Sequence, residues 1–269
     1  MQAVVFAGQS WRRKLAGLPL IRRLILSAKA AGARHVFILA DDPEAVRGML
    51  RHADFPMTTV AADASRLSPF TGGSGAPVLV LHDELAVDPL YLAGMAKAGV
   101  SLRPGRALVA VRQGPPPVHP FARGVALLGA RLVVADSNAG LHDIGAALAP
   151  GSMLAGIGGD ALAAAAAFRE RLAALGVEGH VESHLGGPGY AGLLQPGENW
   201  RSAAWNMIKV AGKPTDGVVS RAVNRKVSAV ATALLVDTGV SPNAITFSLL
   251  VLGVITGALV LRGGPVAIF

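Results

Sequence analysis

The spacing of hydrophobic residues changes several times along the chain, and each change marks an element. Gln2–Ala7 is a short apolar run closed by Gly8, followed by a polar turn of Gln9, Ser10, Trp11, Arg12, Arg13 and Lys14. From Leu18 to Ala31 the apolar positions fall at helical spacing, with Leu20, Leu24 and Ala28 on one face and Gly32 just beyond. Val36–Ala40 is a second apolar run, and the spacing over Pro43–Arg51 predicts a second helix. Strand, helix, strand, helix within roughly 50 residues predicts βαβ units and a mostly parallel sheet. Ser65–Ala76 reads as loop, Val78–Leu81 as a buried strand running into His82-Asp83-Glu84, and Asp88-Pro89 as the start of a helix. Ala107–Arg112 and Gly124–Val134 read as further strands, or as strand plus helix. Asp160 has the character of an N-cap for an alanine-rich helix over Ala161–Leu175, closed by Gly176. Trp200–Val210 has the pattern of the last helix of this domain.

After Lys213-Pro214 the pattern is different. Val218–Leu235 has helical periodicity, with Val219, Val223, Val227, Val230 and Leu234 on one side and basic residues largely on the other. From Ala244 to Leu261 there is no charged residue, and the run is long enough to cross a bilayer with help from Pro242 and Asn243. A basic amphipathic helix ahead of such a span reads as an interfacial helix, with Arg221, Arg225 and Lys226 on anionic lipid. The alternative is an ordinary surface helix of the globular domain. Between Arg201 and Lys226 stand six basic residues and one acid, Asp216, whereas Arg262 alone is charged after the span. That asymmetry predicts a cell-membrane protein with its soluble N-terminal domain in the cytoplasm. Gly263-Gly264-Pro265 then turns and Val266–Phe269 is apolar again, so a second span is expected to begin there, in a longer protein.

Composition narrows the chemistry. The 269 residues contain 52% hydrophobic side chains, which excludes disorder for most of the chain. There is no cysteine, so disulfide scaffolds, thiolate metal sites and cysteine nucleophiles are excluded together. A net charge of +8 suits phosphates, on a nucleotide or on a membrane surface. Nucleic acid is not an expected partner, because no basic stretch is interleaved with aromatic residues for stacking. No serine sits in GxSxG, which leaves hydrolase chemistry without support. His180-Val-Glu182-Ser-His184 is flanked by glycines that argue against the helix a zinc pair would need, and it reads as a polar loop. Gly72-Gly-Ser-Gly75 precedes a strand instead of opening a helix and reads as a lid, and Gly156-Ile-Gly-Gly159 is weak as a dinucleotide fingerprint.

Three tracts together resemble one family. They are Lys213-Pro-Thr-Asp-Gly-Val-Val-Ser-Arg221, Asn224-Arg225-Lys226-Val-Ser228, and Ser241-Pro-Asn-Ala-Ile-Thr246 at the start of the span. They look like the junction in membrane CDP-alcohol phosphatidyltransferases that carry an N-terminal nucleotidyltransferase-like domain, such as the fused inositol-phosphate cytidylyltransferases. The resemblance implies transfer of a phospho-alcohol group from a CDP-alcohol in phospholipid or polar-lipid synthesis, and it leaves room for a homodimer through the membrane part. The family signature is DGxxAR followed by GxxxDxxxD, whose acids hold divalent metal and diphosphate. Asp216-Gly-Val-Val-Ser-Arg221 imitates its opening, but Val230 and Ala231 stand where the glycine belongs and Asp237 is the one later acid. The acidic motif is therefore expected beyond Phe269, and no catalytic residue is assigned.

The N-terminal part resembles, more loosely, molybdenum-cofactor guanylyltransferase-like and sugar-phosphate cytidylyltransferase domains, through Lys14–Ile21 and Leu79–Pro89. The resemblance implies a Rossmann-like nucleotidyltransferase fold over residues 1–214. A basic juxtamembrane helix at 215–241 and a first membrane helix at 242–269 would follow. An active member holds nucleotide phosphates on the backbone amides of a Gly-rich turn. Here that turn offers Gly8, Arg12, Arg13 and Lys14, with Trp11 expected to crowd it. Such a member also binds Mg²⁺ through an acid after the mid-domain strand, where Asp83 and Glu84 stand, with Glu84 in the better register. A second metal acid is matched only by Glu198, with Gln195 nearby. Two readings follow: an active cytidylyltransferase using CTP to make the CDP-alcohol, or a degenerate domain that keeps the fold and docks on the membrane. The alternative for Arg12, Arg13 and Lys14 is a solvated turn.

Overall fold

The computed structural model describes residues 1–50, 58–67, 77–113, 141–185, 189–194, 200–210, 225–235, 238 and 240–262. It divides into two compact units, Met1–Gly212 and Lys213–Phe269. In chain order the first unit contains β1 (Gln2–Ala7), β2 (Lys14–Leu15), β3 (Leu18–Pro19), α1 (Leu20–Ala30), β4 (His35–Ala40), α2 (Pro43–Leu50) and β5 (Thr58–Ala61). After these come β6 (Pro77–His82), β7 (Leu85–Val87), α3 (Pro89–Gly99), β8 (Ala107–Gln113) and β9 (Leu141–Pro150). The unit closes with α4 (Ala161–Val177), β10 (Val181–Leu185), β11 (Ala191–Leu193) and α5 (Trp200–Val210).

Seven strands form one sheet in the order β10-β8-β9-β6-β1-β4-β5. β1 runs parallel to β4 and β6, β4 to β5, and β8 to β10, while β9 is antiparallel to both β6 and β8. The sheet is therefore mostly parallel, as expected, with one reversed strand inside it. Burial on both faces explains the near-continuous apolar strands. Ala3, Val5, Ile38, Leu79 and Leu81 pack with Leu24, Ile25, Leu92 and Met95 of α1 and α3. Val4, Phe6, Phe37, Leu39 and Val80 point the other way, onto Ala161, Ala165, Phe168 and Leu172 of α4.

The helix signals have identifiable caps. The Asp160 carboxylate accepts the Ala163 amide at 2.8 Å and starts α4, and Asp88 accepts the Leu90 amide at 2.8 Å ahead of Pro89. α1 begins at Leu20, later than its periodicity suggests, because Leu18 and Pro19 pair with Leu15 and Lys14 in a hairpin. Ala16 (φ 48°) and Gly17 (φ 77°) form its two-residue turn, in which both positions need positive φ. The His180–His184 tract is corrected from loop to strand: Val181–Leu185 is β10, at the sheet edge beside β8, where alternation suits a half-covered face. The His184 ring lies edge-on to Tyr91 at 5.4 Å. Gly72–Gly75 and Gly124–Val134 lie outside the described residues.

In the second unit, α6 (Arg225–Leu235) is described for the C-terminal part of the expected Val218–Leu235 helix; residues 218–224 lie outside the described set. Val230 and Leu234 on it are exposed. α7 (Pro242–Leu261) is the expected apolar helix, capped by the Ser241 hydroxyl accepting the Ala244 amide at 3.1 Å. Asn243–Leu261 is long and apolar enough to cross a membrane, and none of it is buried within the unit.

Candidate functional site

β1 lies where the strand order reverses, with β4 on one side and β6 on the other. At such a switch point the carboxyl ends of parallel strands open a crevice that suits ligands. The Phe6↔His82 register puts Gly8 beside Asp83, and the Asp83 amide donates to the Phe6 carbonyl at 3.1 Å. A cavity of about 250 Å³ opens there, between the ends of β1 and β6 and the first turns of α4. Gly8, Gln9, His82, Asp83, Glu84 and Arg169 supply its polar wall, and Phe6, Ala161, Leu162 and Ala165 the apolar remainder.

The turn after β1 is fixed by hydrogen bonds at several points. The carbonyls of Trp11 and Arg13 accept the amides of Ile21 (3.2 Å) and Leu20 (2.8 Å), satisfying donors at the start of α1. The Arg23 guanidinium reaches the carbonyls of Leu15 (2.8 Å) and Ala16 (3.1 Å), and burial lowers its pKa while Asp88 opposes that shift. On the opposite side of the turn, the amides of Ser10 and Trp11 donate to one oxygen of Asp83, Oδ2, at 2.7 and 3.0 Å.

Asp83 is 6% exposed. Burial pushes its pKa up to about 6, with help from the like charge of Glu84, against the amides of Ser10, Gly8 and Trp11. His82, buried against the Phe6 ring at 5.5 Å, is driven well below the usual histidine range by burial and then by Arg169, so it is neutral near pH 7. Among the described cavity residues, Arg169 is thus the one permanent cation.

The expected site residues separate into two groups. Gly8, Asp83 and Glu84 come together at the cavity, and Asp83, not Glu84, has its carboxylate on the turn. Arg12, Arg13 and Lys14 are not in its wall. The Arg12 guanidinium lies 4.6 Å from the center of the Trp11 ring and pairs with Asp42 at 2.6 Å. Arg13 lies 4.6 Å from the Trp200 ring center of α5, and Lys14 is exposed in β2. The expected crowding by Trp11 is corrected: its indole is buried in the core, and the turn is occupied by Asp83 instead. Gln195, Glu198, Asp216 and Arg221 lie outside the described residues, while Arg225 and Lys226 open α6. Sequence reasoning missed Gln9, His82 and Arg169. Gln9 and His82 adjoin residues it did select, whereas Arg169 sits in an alanine-rich helix with no motif around it.

Asp83 and Glu84 are the acids in the cavity wall that would hold Mg²⁺ beside a substrate phosphate. Among the described residues no group of three acids or histidines is placed to hold a metal ion. Asp83 Oδ2 is already an acceptor for two amides, at 2.7 and 3.0 Å.

No protein-family model matches the chain, and no curated protein matches it in sequence. Solved structures resemble it in fold. A Bacillus anthracis protein described as a glucose-1-phosphate thymidylyltransferase, in complex with sucrose, is 12% identical with a TM-score of 0.53, over 71% of this chain and 88% of that one. A UDP-glucose pyrophosphorylase complexed with UDP-glucose is 11% identical with a TM-score of 0.49, over 76% of this chain and 97% of that one. The first of these likenesses shows a nucleotidyltransferase-like fold.

Proposed function

We propose that residues 1–214 form a nucleotidyltransferase-fold domain that has lost nucleotide transfer and serves a membrane CDP-alcohol phosphatidyltransferase. The observation that carries the non-catalytic reading is the closure of the turn. The amides of Ser10 and Trp11, which would face nucleotide phosphate in an active member, are taken by the Asp83 carboxylate at 2.7 and 3.0 Å. The cations that should neutralize a triphosphate support the same reading. Arg12 is engaged by Asp42 and Trp11, and Arg13 by Trp200.

The transferase assignment rests on the resemblance of Lys213–Ser228 and Ser241–Thr246. In its favor, Ser241 caps and Pro242 opens a helix whose length suits a membrane span. Residues 215–241 would then lie on anionic lipid through Arg221, Arg225 and Lys226, and residues 242–269 would begin the membrane domain. The basic excess before the span supports a cytoplasmic location for the N-terminal domain.

A second reading, an active cytidylyltransferase, is favored by the cavity at the switch point with Asp83 and Glu84 side by side in its wall. Pyrophosphate release from CTP, Mg²⁺ and an inositol or sugar phosphate, assayed with the full chain in detergent, separates the two. The non-catalytic reading predicts no release above the protein-free rate. Release that Glu84→Ala abolishes would establish the second reading.

A further inference from the structure

We propose that the end of the sheet opposite the cavity is a lipid-docking surface, where Lys29, Arg34, Lys97 and Arg103, with Val100 between the last two in sequence, rest on anionic headgroups. This rests on the reading of Asn243–Leu261 as a membrane span and not on the loss of nucleotide transfer. The register places these residues at one end. Ala3 lies level with Val36 of β4 and Leu79 of β6, Leu79 with Leu148 of β9, and Leu148 with Leu108 of β8. Just before that row come Arg34, whose amide donates to the Met1 carbonyl at 3.0 Å, and Arg106, whose amide donates to the Arg103 carbonyl at 3.1 Å. α1 and α3 end here, with Lys29 and Lys97 in their last turns.

Residues 28–35 and 96–107 carry Lys29, Arg34, Lys97, Arg103 and Arg106 and no Asp or Glu. Arg106 is engaged by Glu182 at 3.1 Å, and Glu178 lies against His180 at 3.4 Å, so the acids at the β10 edge have partners of their own. The other four cations are exposed and make no ion pair among the described residues. Complementing the helix dipole accounts for Lys29 and Lys97 locally. Arg34 and Arg103 stand beyond the last turns, where that effect has faded. Val100, just past α3, is 86% exposed. Exposed cations beside an exposed apolar side chain fit a membrane interface, where attraction to anionic headgroups and burial of apolar area add. Neither segment carries Phe, Tyr or Trp for base stacking, which favors lipid over nucleic acid. With α7 in the bilayer, contact of this face with headgroups is intramolecular, and the high effective concentration lets a few cations suffice.

The chain has no cysteine, so an introduced one reports a single position. Val100→Cys, Ser65→Cys at the other end of the sheet and Leu252→Cys within α7 are each labeled with an environment-sensitive fluorophore. The full chain is then reconstituted into nanodiscs containing brominated lipid. With phosphatidylglycerol present, the labels at 100 and 252 are expected to be quenched and the label at 65 is not. At 100 the quenching should be lost in pure phosphatidylcholine and in the double variant Lys97→Glu with Arg103→Glu. It should also be lost on raising NaCl from about 0.1 to about 1 M, which shortens the screening length from about 10 to about 3 Å. At 252 none of these changes has an effect. The lipid and salt comparisons need no charge variant, so they decide the matter even where that variant does not fold. Quenching at 65 equal to that at 100, an unquenched label at 100 beside a quenched one at 252, or quenching at 100 that ignores charge would overturn the proposal. A label at 100 that responds to an added oligonucleotide and not to phosphatidylglycerol would assign the face to nucleic acid and overturn it as well. An unquenched label at 252 would overturn the membrane span, and this surface with it.

Discussion

Replacing Asp83 by asparagine should stabilize the fold near neutral pH and leave it unchanged in acid. Both strong amide bonds end on Oδ2, so an asparagine with its oxygen in that place keeps both and removes the buried charge. The Asp83 pKa rises from 3.8 to about 6 in the folded state. The folded protein therefore holds this proton more tightly than the unfolded chain. The stability that the group contributes is complete below about pH 4, is lost as the pH rises to about 6, and stays lost above that. A shift of that size corresponds to about 3 kcal/mol at 1.36 kcal/mol per pKa unit. Urea unfolding of wild type and Asp83→Asn, followed by tryptophan fluorescence in EDTA from pH 4 to 8, reads the difference directly, and other titrating groups cancel in it. The expected result is a gap near zero at pH 4 that widens to about 3 kcal/mol in favor of asparagine by pH 7. A gap independent of pH, or a wild type more stable than Asp83→Asn at pH 8, would refute the reasoning.

Ala16→Asn should raise stability by about 1 kcal/mol in the same unfolding assay, because asparagine tolerates the left-handed conformation that alanine adopts at φ 48°. Gly99→Ala should lower the unfolding midpoint by an amount equivalent to about 1–3 kcal/mol, since its Cβ would stand 2.6 Å from Leu148 Cδ1 in the core. A peptide covering Val218–Leu235 should bind vesicles containing anionic lipid, and raising the salt should weaken that binding, as screening requires for Arg221, Arg225 and Lys226. Binding unaffected by salt would count against the interfacial assignment.

The sequence made the frame of the fold legible where burial is complete. Gln2–Ala7, Val36–Ala40 and Val78–Leu81 are unbroken apolar runs bounded by turn residues, and they became β1, β4 and β6 in the sheet center. α4 was legible from Asp160 because its cap is a local interaction. β9 was not: Leu141–Pro150 carries His142, Asp143 and small residues, and it is a strand because β6 and β8 flank it, which no local pattern reports. β10 was hidden for the opposite reason, since an edge strand with Glu182 and His184 resembles a polar loop. The site shows the same division. Gly8, Asp83 and Glu84 were recognizable from their place after strands. The choice of Asp83 over Glu84 as the group on the turn depends on side-chain direction at the end of β6. The departure of Arg12 and Arg13 toward Asp42 and Trp200 depends on partners distant in sequence.

Calorimetric titration of the full wild-type chain with CTP in the presence of Mg²⁺ tests the central claim most directly. With the Ser10 and Trp11 amides closed by Asp83, and Arg12 and Arg13 engaged elsewhere, no saturable heat is expected up to millimolar nucleotide. Saturable binding at micromolar CTP, lost in Glu84→Ala, would contradict the account and restore the first unit as a nucleotide-transferring enzyme.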